Sequence, residues 1–509
     1  MHIFGEKPKK KVLFVASEAA PFAKAGGLGE VMFSLPKALK KIGYDARVMV
    51  PRYAGIDQEK FRLAMEYERL EVPTDAQESG QPRHLVCNVK KYEPGADGAN
   101  SPVTTYFLEN LEYYERRANV YGYADDAVRW ALLGRGVLEF LRMSAKWIPD
   151  VIVACDWQAA FVINYLKTTY QNSARLGSVA AVFSIHNLYY QGMFDHKFVA
   201  EMDYDAGQAS IPSFFDPRLL KLNMMRRGIM HANAINTVSP TYANEIMTPE
   251  YGELLDGLLR ERRSVVYGIL NGIDYEKINP SADPHLAARY DAGSPEKRIQ
   301  NKLYLQERFN LPKDPKKFVI GIVSRLDEQK GFDILFDTME PMLRELGAQL
   351  IVVGAGEAKY MSFFAELQKK YPQQVAAHLN FDAVLPHFVF GGADAVLLPS
   401  RFEPSGLVQM EAMRYGAIPV TRKTGGLADT VEDCDPESDS GTGFVFKDFG
   451  VLSFAVALSR ASEAFRHKTV WRALQQRAMR KDFSWQRSAQ EYAKLFEKAL
   501  DIKRGNVLG

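Results

Sequence analysis

Residues 11–51 read KVLFVASEAAPFAKAGGLGEVMFSLPKALKKIGYDARVMVP. An apolar run at 12–16 precedes a glycine-rich turn, and a second apolar run follows at 46–50. Between them, apolar residues at 35, 38, 39 and 42 recur with the spacing of one helix face. Apolar runs that do not alternate with polar residues are typical of strands buried on both faces. The stretch therefore predicts a strand, a helix and a second strand of a parallel sheet.

The same pattern continues along the chain and restarts once. Further predicted strands lie at 151–154, 180–185 and 234–238, and then at 318–323, 349–353, 395–398 and 418–420, with helices at 332–346 and 408–415. A polar, turn-rich segment at 258–315 separates the two sets. Since one hydrophobic core rarely exceeds about 250–300 residues, a chain of 509 residues needs at least two.

We therefore predict an α/β protein with two Rossmann-like, doubly wound parallel-sheet domains that face a central cleft. The predicted domains are residues 1–262 and 263–480, and residues 481–509 form a C-terminal helix that packs back on the first domain. Sheets of this kind bind ligands outside the carboxyl ends of their strands. The loops that follow the predicted strands are thus the place to search for functional residues.

Composition and charge exclude several kinds of partner. The chain has 64 Lys and Arg against 62 Asp and Glu, a formal charge of +2, and no long run of one sign. This balance predicts no nucleic-acid partner and no membrane partner. No apolar run approaches the roughly 18 residues of a membrane span, and the first apolar run is too short for a signal peptide. Cys87, Cys155 and Cys434 are far apart in sequence, which fits a reducing compartment, so we expect a cytoplasmic protein.

The loop after the first strand contains Lys24-Ala-Gly26-Gly27-Leu-Gly. Consecutive glycines let backbone amides approach an anion, and the following helix adds its positive end. An ordinary glycine-rich turn before a helix is the alternative interpretation. The spacing is not the GxGxxG fingerprint of a dinucleotide site, which argues against an oxidoreductase.

Two further loops carry charged residues at strand ends. Arg325 and Lys330 follow the strand at 318–323, where both could face a diphosphate, although a solvated basic loop would have the same composition. Glu403 follows the strand at 395–398, on a turn rich in proline and glycine that opens a helix. The amides of Gly406 and Leu407 at that helix start suit a phosphate. Glu411 lies about two helical turns further on.

Eight motifs, in this order, resemble the glycogen and starch synthase family of bacteria and plastids. They are Lys24-Ala-Gly-Gly-Leu, Cys155-Asp156-Trp157-Gln158, the segment from His186-Asn187 to Phe194, Ser239-Pro-Thr-Tyr, Asn271-Gly-Ile-Asp274, Ser324-Arg325 with Lys330-Gly331, Pro399-Ser-Arg-Phe-Glu-Pro-Ser-Gly406, and Lys423-Thr-Gly-Gly-Leu-Ala-Asp. The resemblance implies a GT-B fold and retaining, metal-independent transfer of glucose from ADP-glucose or UDP-glucose to the 4-hydroxyl of an α-1,4-glucan. It implies no cofactor.

The resemblance also implies roles for individual residues. Arg325 and Lys330 would neutralise the leaving diphosphate, and Glu403 would hold the glucose hydroxyls. His186 would lie under the anomeric carbon with Asp156 nearby on the acceptor side. The remaining donor-binding residues would be Lys24, Gly26, Gly27, Phe381, Ser405, Gly406, Leu407 and Glu411, with Phe381 stacking on the base and Glu411 holding the ribose.

This chain departs from the family pattern at three positions. Cys155 stands where histidine is usual, Ser405 where cysteine is usual, and Glu30 where aspartate is usual. The Asp-x-Asp pairs at 203/205 and 433/435 follow no predicted strand, so we interpret them as surface acids and predict no metal site.

Other functions remain open from the sequence alone. One is a different retaining GT-B transferase with another acceptor, and another is a catalytically silent glucan-binding relative. A phosphorylase is disfavoured because no pyridoxal phosphate motif is present.

Overall fold

The computed structural model describes residues 9–95, 101, 103–143, 147–192 and 207–505. The chain forms two compact units. The first unit comprises the chain up to Val238, Ala243–Ile269 and the chain from Trp485, and the second comprises Ser239–Tyr242 and Leu270–Ser484. Apart from the short segment Ser239–Tyr242, the chain changes units after Ile269 and after Ser484, compared with predicted boundaries after 262 and 480. No helix in the described part of the chain is long and apolar enough to cross a membrane.

The first unit contains a nine-stranded sheet. Its strands are β1 (Lys11–Val15), β2 (Asp45–Pro51), β3 (Ala64–Pro73), β4 (His84–Tyr92), β5 (Thr105–Glu109), β6 (Val151–Cys155), β7 (Ala180–Ile185), β8 (Ala234–Thr237) and β9 (Val266–Gly268). Their order is β3-β4-β5-β2-β1-β6-β7-β8-β9. All described pairings are parallel except those of β4 with β3 and β5.

The second unit contains a fully parallel six-stranded sheet. Its strands are β10 (Val319–Val323), β11 (Gln349–Val353), β12 (Val375–His378), β13 (Ala395–Leu398), β14 (Ile418–Arg422) and β15 (Phe444–Phe446). Their order, β12-β11-β10-β13-β14-β15, is the 3-2-1-4-5-6 order of a Rossmann sheet. The direction of winding reverses between β10 and β13. A crevice for ligands is expected at that reversal, outside the carboxyl ends of the two strands.

Helices cover the sheets. They are α1 (Gly27–Lys41), α2 (Asp126–Met143), α3 (Asp156–Lys167), α4 (Met224–His231), α5 (Pro240–Glu245), α6 (Asp256–Glu261), α7 (Arg298–Arg308), α8 (Met339–Leu346), α9 (Ala358–Lys370), α10 (Leu385–Gly392), α11 (Val408–Arg414), α12 (Gly425–Thr430), α13 (Val451–Arg466), α14 (Lys468–Arg480) and α15 (Trp485–Lys503). The C-terminal helix α15 packs within the first unit, against α1, β7 and β8. Its Phe496 lies edge-on to Phe14 and Tyr44, with ring centroids 6.4 and 5.9 Å apart.

Two local predictions differ from the structure. The predicted helix at 332–346 is a 3₁₀ turn (Phe332–Leu335) followed by the separate helix α8. Pro341 explains the interruption, because proline has no amide hydrogen and is tolerated only in the first turn of a helix. The hairpin β3–β4 was not predicted from the sequence, because its side chains alternate between buried and exposed rather than forming an apolar run.

Candidate active site

Most of the predicted residues of the second unit lie near the reversal between β10 and β13. Arg325 and Lys330 are on the loop after β10, and Glu403 is on the loop after β13. The Lys330 ammonium is 2.5 Å from the Glu403 carboxylate, and the two side chains are 19% and 8% exposed. Ser400 donates a further hydrogen bond to the same carboxylate oxygen, at 3.3 Å. The strand order therefore brings Lys330 and Glu403, distant in sequence, into one ion pair.

Asp327 connects the two cations of the β10 loop. One of its carboxylate oxygens pairs with Arg325 at 2.8 Å, and the other accepts the backbone N–H of Lys330 at 3.2 Å. The Arg325 side chain is 61% exposed. Because exposed ion pairs contribute little, the Arg325 guanidinium can leave Asp327 for a better anion at small cost. A diphosphate would be such an anion, since it accepts two N–H groups of the guanidinium at once.

Two glycines hold these loops in place. Gly425, in the Lys423-Thr-Gly-Gly-Leu motif, has φ +42°, and a Cβ there would overlap the carbonyl oxygen of Glu403. Gly331 has φ +71°, and a Cβ there would overlap the carbonyl oxygen of Pro399. The next amide, that of Gly426, donates to the Glu403 carbonyl at 3.0 Å. Glycine is thus required where the β10 and β14 loops contact the backbone of the Glu403 loop.

The start of α11 presents unused hydrogen-bonding groups. In the described part of the chain, the amides of Gly406 and Leu407 have no acceptor. The hydroxyl of Ser405 is buried and likewise has no partner there. Buried polar groups in folded proteins nearly always have partners, so these groups suit a polar ligand. Glu411 is half-buried on the same helix.

Phe381 stands apart from the Lys330–Glu403 pair. It lies on the loop after β12, and 89% of its surface is exposed. Among the described residues, no ring contact involves it. An aromatic face this open can stack on a planar ligand, but the structure does not bring Phe381 into contact with Lys330 or Glu403.

In the first unit the predicted residues follow β1, β6 and β7, which are neighbours in the sheet. Lys24 pairs with Glu30 at 2.8 Å, and its side chain is 51% exposed. Gly26 and Gly27 are also exposed, but the amide of Gly26 donates to the carboxylate of Glu18 at 2.8 Å. The Gly26 amide is therefore occupied in this structure, and an anion would have to replace that carboxylate.

Asp156 and His186 contact each other through the backbone. The Asp156 carboxylate accepts the N–H of His186 at 2.7 Å, and the backbone of Asn187 also donates to it. Burial nevertheless raises the pKa of Asp156 to about 7. Burial lowers the pKa of His186 to about 4, so its imidazole is neutral near pH 7. Asp156 also has φ +57°, in the left-handed region that few non-glycine residues adopt.

Glu18 and Tyr121 also lie in this part of the first unit, although neither was predicted from the sequence. Glu18 is 2% exposed and accepts the amides of Ala25 and Gly26. The Tyr121 hydroxyl donates to Glu18 at 3.4 Å and also hydrogen-bonds to Ser17 at 2.8 Å. Burial and the Glu18 charge raise the pKa of Tyr121. Glu18 could have been found from its position directly after the first strand. No local sequence signal identifies Tyr121.

One of the two Asp-x-Asp pairs lies among the described residues. Asp433 pairs with Arg460 at 3.1 Å, and Asp435 accepts the amide of Glu437 at 3.0 Å within its turn. Asp203, Asp205 and Phe194 lie outside the described residues. Within the ranges that the structure describes, no three His, Cys, Asp or Glu side chains form a group that could hold a metal ion.

Family models match most of the chain. The starch synthase catalytic domain matches residues 11–261, and glycosyl transferases group 1 matches residues 305–468. The chain is therefore a glycosyltransferase, as predicted.

Similar proteins identify the family of glycosyltransferases to which the chain belongs. Glycogen synthase from Thermotoga maritima is 41% identical over 96% of this chain and 99% of its own length. Glycogen synthase from Clostridium novyi is 39% identical over 96% of this chain and 99% of its own length. The chain belongs to the glycogen synthase family, whose members transfer glucose from a nucleotide-sugar to a glucan. The resemblance seen in the motifs is thereby confirmed.

Solved structures confirm the predicted fold class. The catalytic domain of starch synthase IV from Arabidopsis thaliana, bound to ADP and acarbose, matches with a TM-score of 0.82 and 29% identity. The match covers 97% of this chain and 100% of that one. Sucrose-phosphate synthase from Thermosynechococcus elongatus matches with a TM-score of 0.54 and 17% identity, which bears on the fold alone.

Proposed function

We propose that this enzyme transfers glucose from ADP-glucose to the 4-hydroxyl at the non-reducing end of an α-1,4-glucan, with retention at the anomeric carbon. The observation that carries the proposal is the Lys330–Glu403 ion pair at the reversal of the Rossmann sheet. A site of this kind offers a cation to a leaving group and a carboxylate to sugar hydroxyls.

The diphosphate is where negative charge develops when the glycosidic bond breaks. Preorganised cations and amides act most strongly where charge appears in the transition state. In our proposal Lys330, Arg325 and the amides of Gly406 and Leu407 receive that charge. Because two side-chain cations are supplied by the protein, the reaction needs no metal ion.

In this proposal two carboxylates and a neutral imidazole contact the transferred glucose and the glucan acceptor. Glu403, fixed by Lys330 and Ser400, accepts hydrogen bonds from the glucose hydroxyls. Neutral His186 lies against the anomeric centre, where a second positive charge would oppose the developing oxocarbenium ion. Asp156, with a pKa near 7, exchanges a proton readily at neutral pH and is assigned to the acceptor side.

The proposal assigns functional roles to residues of both units. Lys24, Gly26 and Gly27 of the first unit are assigned to the donor, together with the second-unit groups. We propose that residues 1–262 serve the acceptor and residues 263–480 the donor, with the helix at 481–509 belonging to the first domain. We also propose a cytoplasmic location, which is supported by the three cysteines, all buried free thiols.

The donor assignment predicts a base preference that a rate comparison can test. We expect a higher kcat/KM for ADP-glucose than for UDP-glucose with glycogen as acceptor. Phe381→Ala should lower kcat/KM for both donors by about fivefold to 150-fold, since stacking on one base is worth roughly 1–3 kcal/mol. Its thermal stability should not change, because the side chain is 89% exposed.

Glu411→Ala provides a matched comparison, since the ribose is common to both donors. It should weaken the two donors equally. A higher kcat/KM for UDP-glucose would contradict the adenine assignment and leave the glucosyl transfer intact. Absence of transfer from either donor would contradict the proposed function itself.

A further inference from the structure

Two exposed tyrosines follow His186 closely in the sequence. Tyr189 and Tyr190 lie on the chain after β7 and are 55% and 52% exposed. Across the described part of the first unit, no other aromatic residue is exposed to this extent. Apolar side chains that stand together on a surface often mark a ligand-binding site. Both tyrosines belong to the motif that begins at His186, in which the proposed function uses only the histidine.

The turn that carries the tyrosines is fixed at both ends. At its start, the Asn187 side-chain oxygen accepts the N–H of Tyr189 at 3.1 Å, and the Asn187 carbonyl accepts the N–H of Tyr190 at 3.3 Å. At its end, the buried side chain of Gln191 donates to the carbonyl of Glu253 at 2.8 Å and accepts from the Asn223 amide at 2.7 Å. A surface that is already fixed loses little conformational freedom when it binds a ligand.

This turn lies beside the residues assigned to the acceptor. Gly192, directly after Gln191, has φ +72°, and a Cβ there would overlap the Trp157 ring. Trp157 follows Asp156, whose carboxylate accepts the N–H of His186 at 2.7 Å. The chain is thus held to the start of α3 on both sides of the tyrosines. Their rings therefore stand at the carboxyl ends of β6 and β7, where the proposed function places the acceptor.

The two rings form a corner. Their centroids are 5.3 Å apart and their planes are at 90° to each other. A glucose ring presents C–H groups on its faces and hydroxyls around its rim, so an aromatic ring can pack on the apolar face. Successive units of an α-1,4-glucan turn relative to each other and the chain bends, whereas a β-1,4-glucan is an extended ribbon. Two faces at right angles suit the bent chain.

We propose that Tyr189 and Tyr190 form a stacking platform for the α-1,4-glucan acceptor, in which each ring contacts a glucose unit behind the reactive end. The inference rests on the proposed function, which places the acceptor beside Asp156 and His186. Two tyrosine rings offer no cation to the diphosphate of the donor, so their contribution falls on the neutral acceptor.

The test measures the acceptor and the donor separately. Tyr189→Ala, Tyr190→Ala and the double variant remove the rings, whereas Tyr189→Phe and Tyr190→Phe keep them. Tyr304→Ala is the matched control, since Tyr304 is an exposed tyrosine of the second unit. The Kd for maltotetraose and for cellotetraose is measured by NMR titration of the ligand-free enzyme. The KM for maltotetraose and for ADP-glucose is taken from initial rates.

We expect each alanine variant to raise the Kd and the KM for maltotetraose about tenfold, which corresponds to about 1.4 kcal/mol and is close to the energy of a single aromatic contact. The double variant should lose more than either single variant. The KM for ADP-glucose and the melting temperature should not change, because the rings are half-exposed and contact only the acceptor. The phenylalanine variants and Tyr304→Ala should behave like the wild-type enzyme. The wild-type enzyme should bind maltotetraose more tightly than cellotetraose, and this preference should shrink in the double variant.

An unchanged Kd for maltotetraose in the double variant would overturn the inference, as would an equal loss in the phenylalanine variants. A raised KM for ADP-glucose with an unchanged Kd for maltotetraose would assign the rings to the base of the donor and overturn it as well. The titration needs neither donor nor transfer, so it separates the inference from the proposed function. Binding that depends on the tyrosines in an enzyme without transfer supports the platform and overturns only the function. Transfer with binding that does not depend on them overturns only the inference.

Discussion

Replacing Lys330 by methionine removes the cation beside Glu403 while keeping an unbranched side chain. The ammonium lies 2.5 Å from the carboxylate, and the two side chains are 19% and 8% exposed. Removing one partner of a buried ion pair costs about 3–5 kcal/mol, because the other charge is left uncompensated. Since Lys330 is not fully buried, we expect a loss near the lower end, about 3 kcal/mol of unfolding free energy.

The same variant should lose activity for a separate reason. Removing one preorganised electrostatic group from a transition state costs on the order of 10²–10³ in kcat. The double variant Lys330→Met/Glu403→Gln separates the two effects. A neutral amide beside methionine leaves no unpaired charge, so stability should largely return. Activity should stay low, because neither the cation nor the carboxylate has been restored.

The assay combines initial rates of glucose transfer onto glycogen with chemical denaturation of each variant. Lys359→Met is the matched control, since Lys359 pairs with Asp333 at 3.7 Å on the surface and is 49% exposed. An exposed pair of this kind contributes about 0–1 kcal/mol, so both stability and rate should stay near the wild-type values. A Lys330→Met enzyme with wild-type kcat would refute the assignment of Lys330 to the leaving diphosphate.

Three further perturbations test other parts of the site. Arg325→Ala should lower kcat by about 10²–10³ without changing the melting temperature, because the side chain is 61% exposed; a normal rate would exclude Arg325 from the reaction. The pKa of Asp156 is about 7 in the folded protein and 3.8 in the unfolded chain. The folded state therefore binds the proton more tightly, and the contribution of Asp156 to stability falls as the pH rises from about 4 to 7. Asp156→Asn should therefore gain stability relative to the wild type between pH 4 and pH 8, and parallel stability curves would contradict the raised pKa. Gly425→Ala should lower both stability and rate, because its Cβ would overlap the Glu403 carbonyl. The control Gly450→Ala should affect neither, because a Cβ there meets no atom within 4 Å. Equal behaviour of the two variants would contradict the role given to Gly425.

The central strands and the charged loops could be predicted because their signals are local. Buried strands such as β1 and β13 are continuous apolar runs, and Glu403 and Arg325 follow such runs within a few residues. The edge hairpin β3–β4 carries no such run, since one of its faces is exposed to solvent. Periodicity therefore identifies the strands that position the site and overlooks this hairpin.

The pairing of residues depends on strand order, which no local pattern contains. Lys330 and Glu403 meet because β13 lies beside β10, while β11 and β12 lie on the other side of β10. Asp156 and His186 meet because β6 and β7 are adjacent. Each residue could thus be selected from its local pattern, but its partner could not, and the proximity of Asp156 to His186 was expected only from the family resemblance.

Glu18 shows why partners matter for interpreting a charged residue. In the sequence it is an acid in a loop, a position where exposed acids are common. In the fold it is 2% exposed, and its charge is balanced by two backbone amides rather than by a cation. A carboxylate held by amides needs no basic residue in the sequence to accompany it. Counting opposite charges along the chain therefore cannot find such a site. The better signal is a carboxylate shortly after a buried strand, followed by glycines whose amides it can accept.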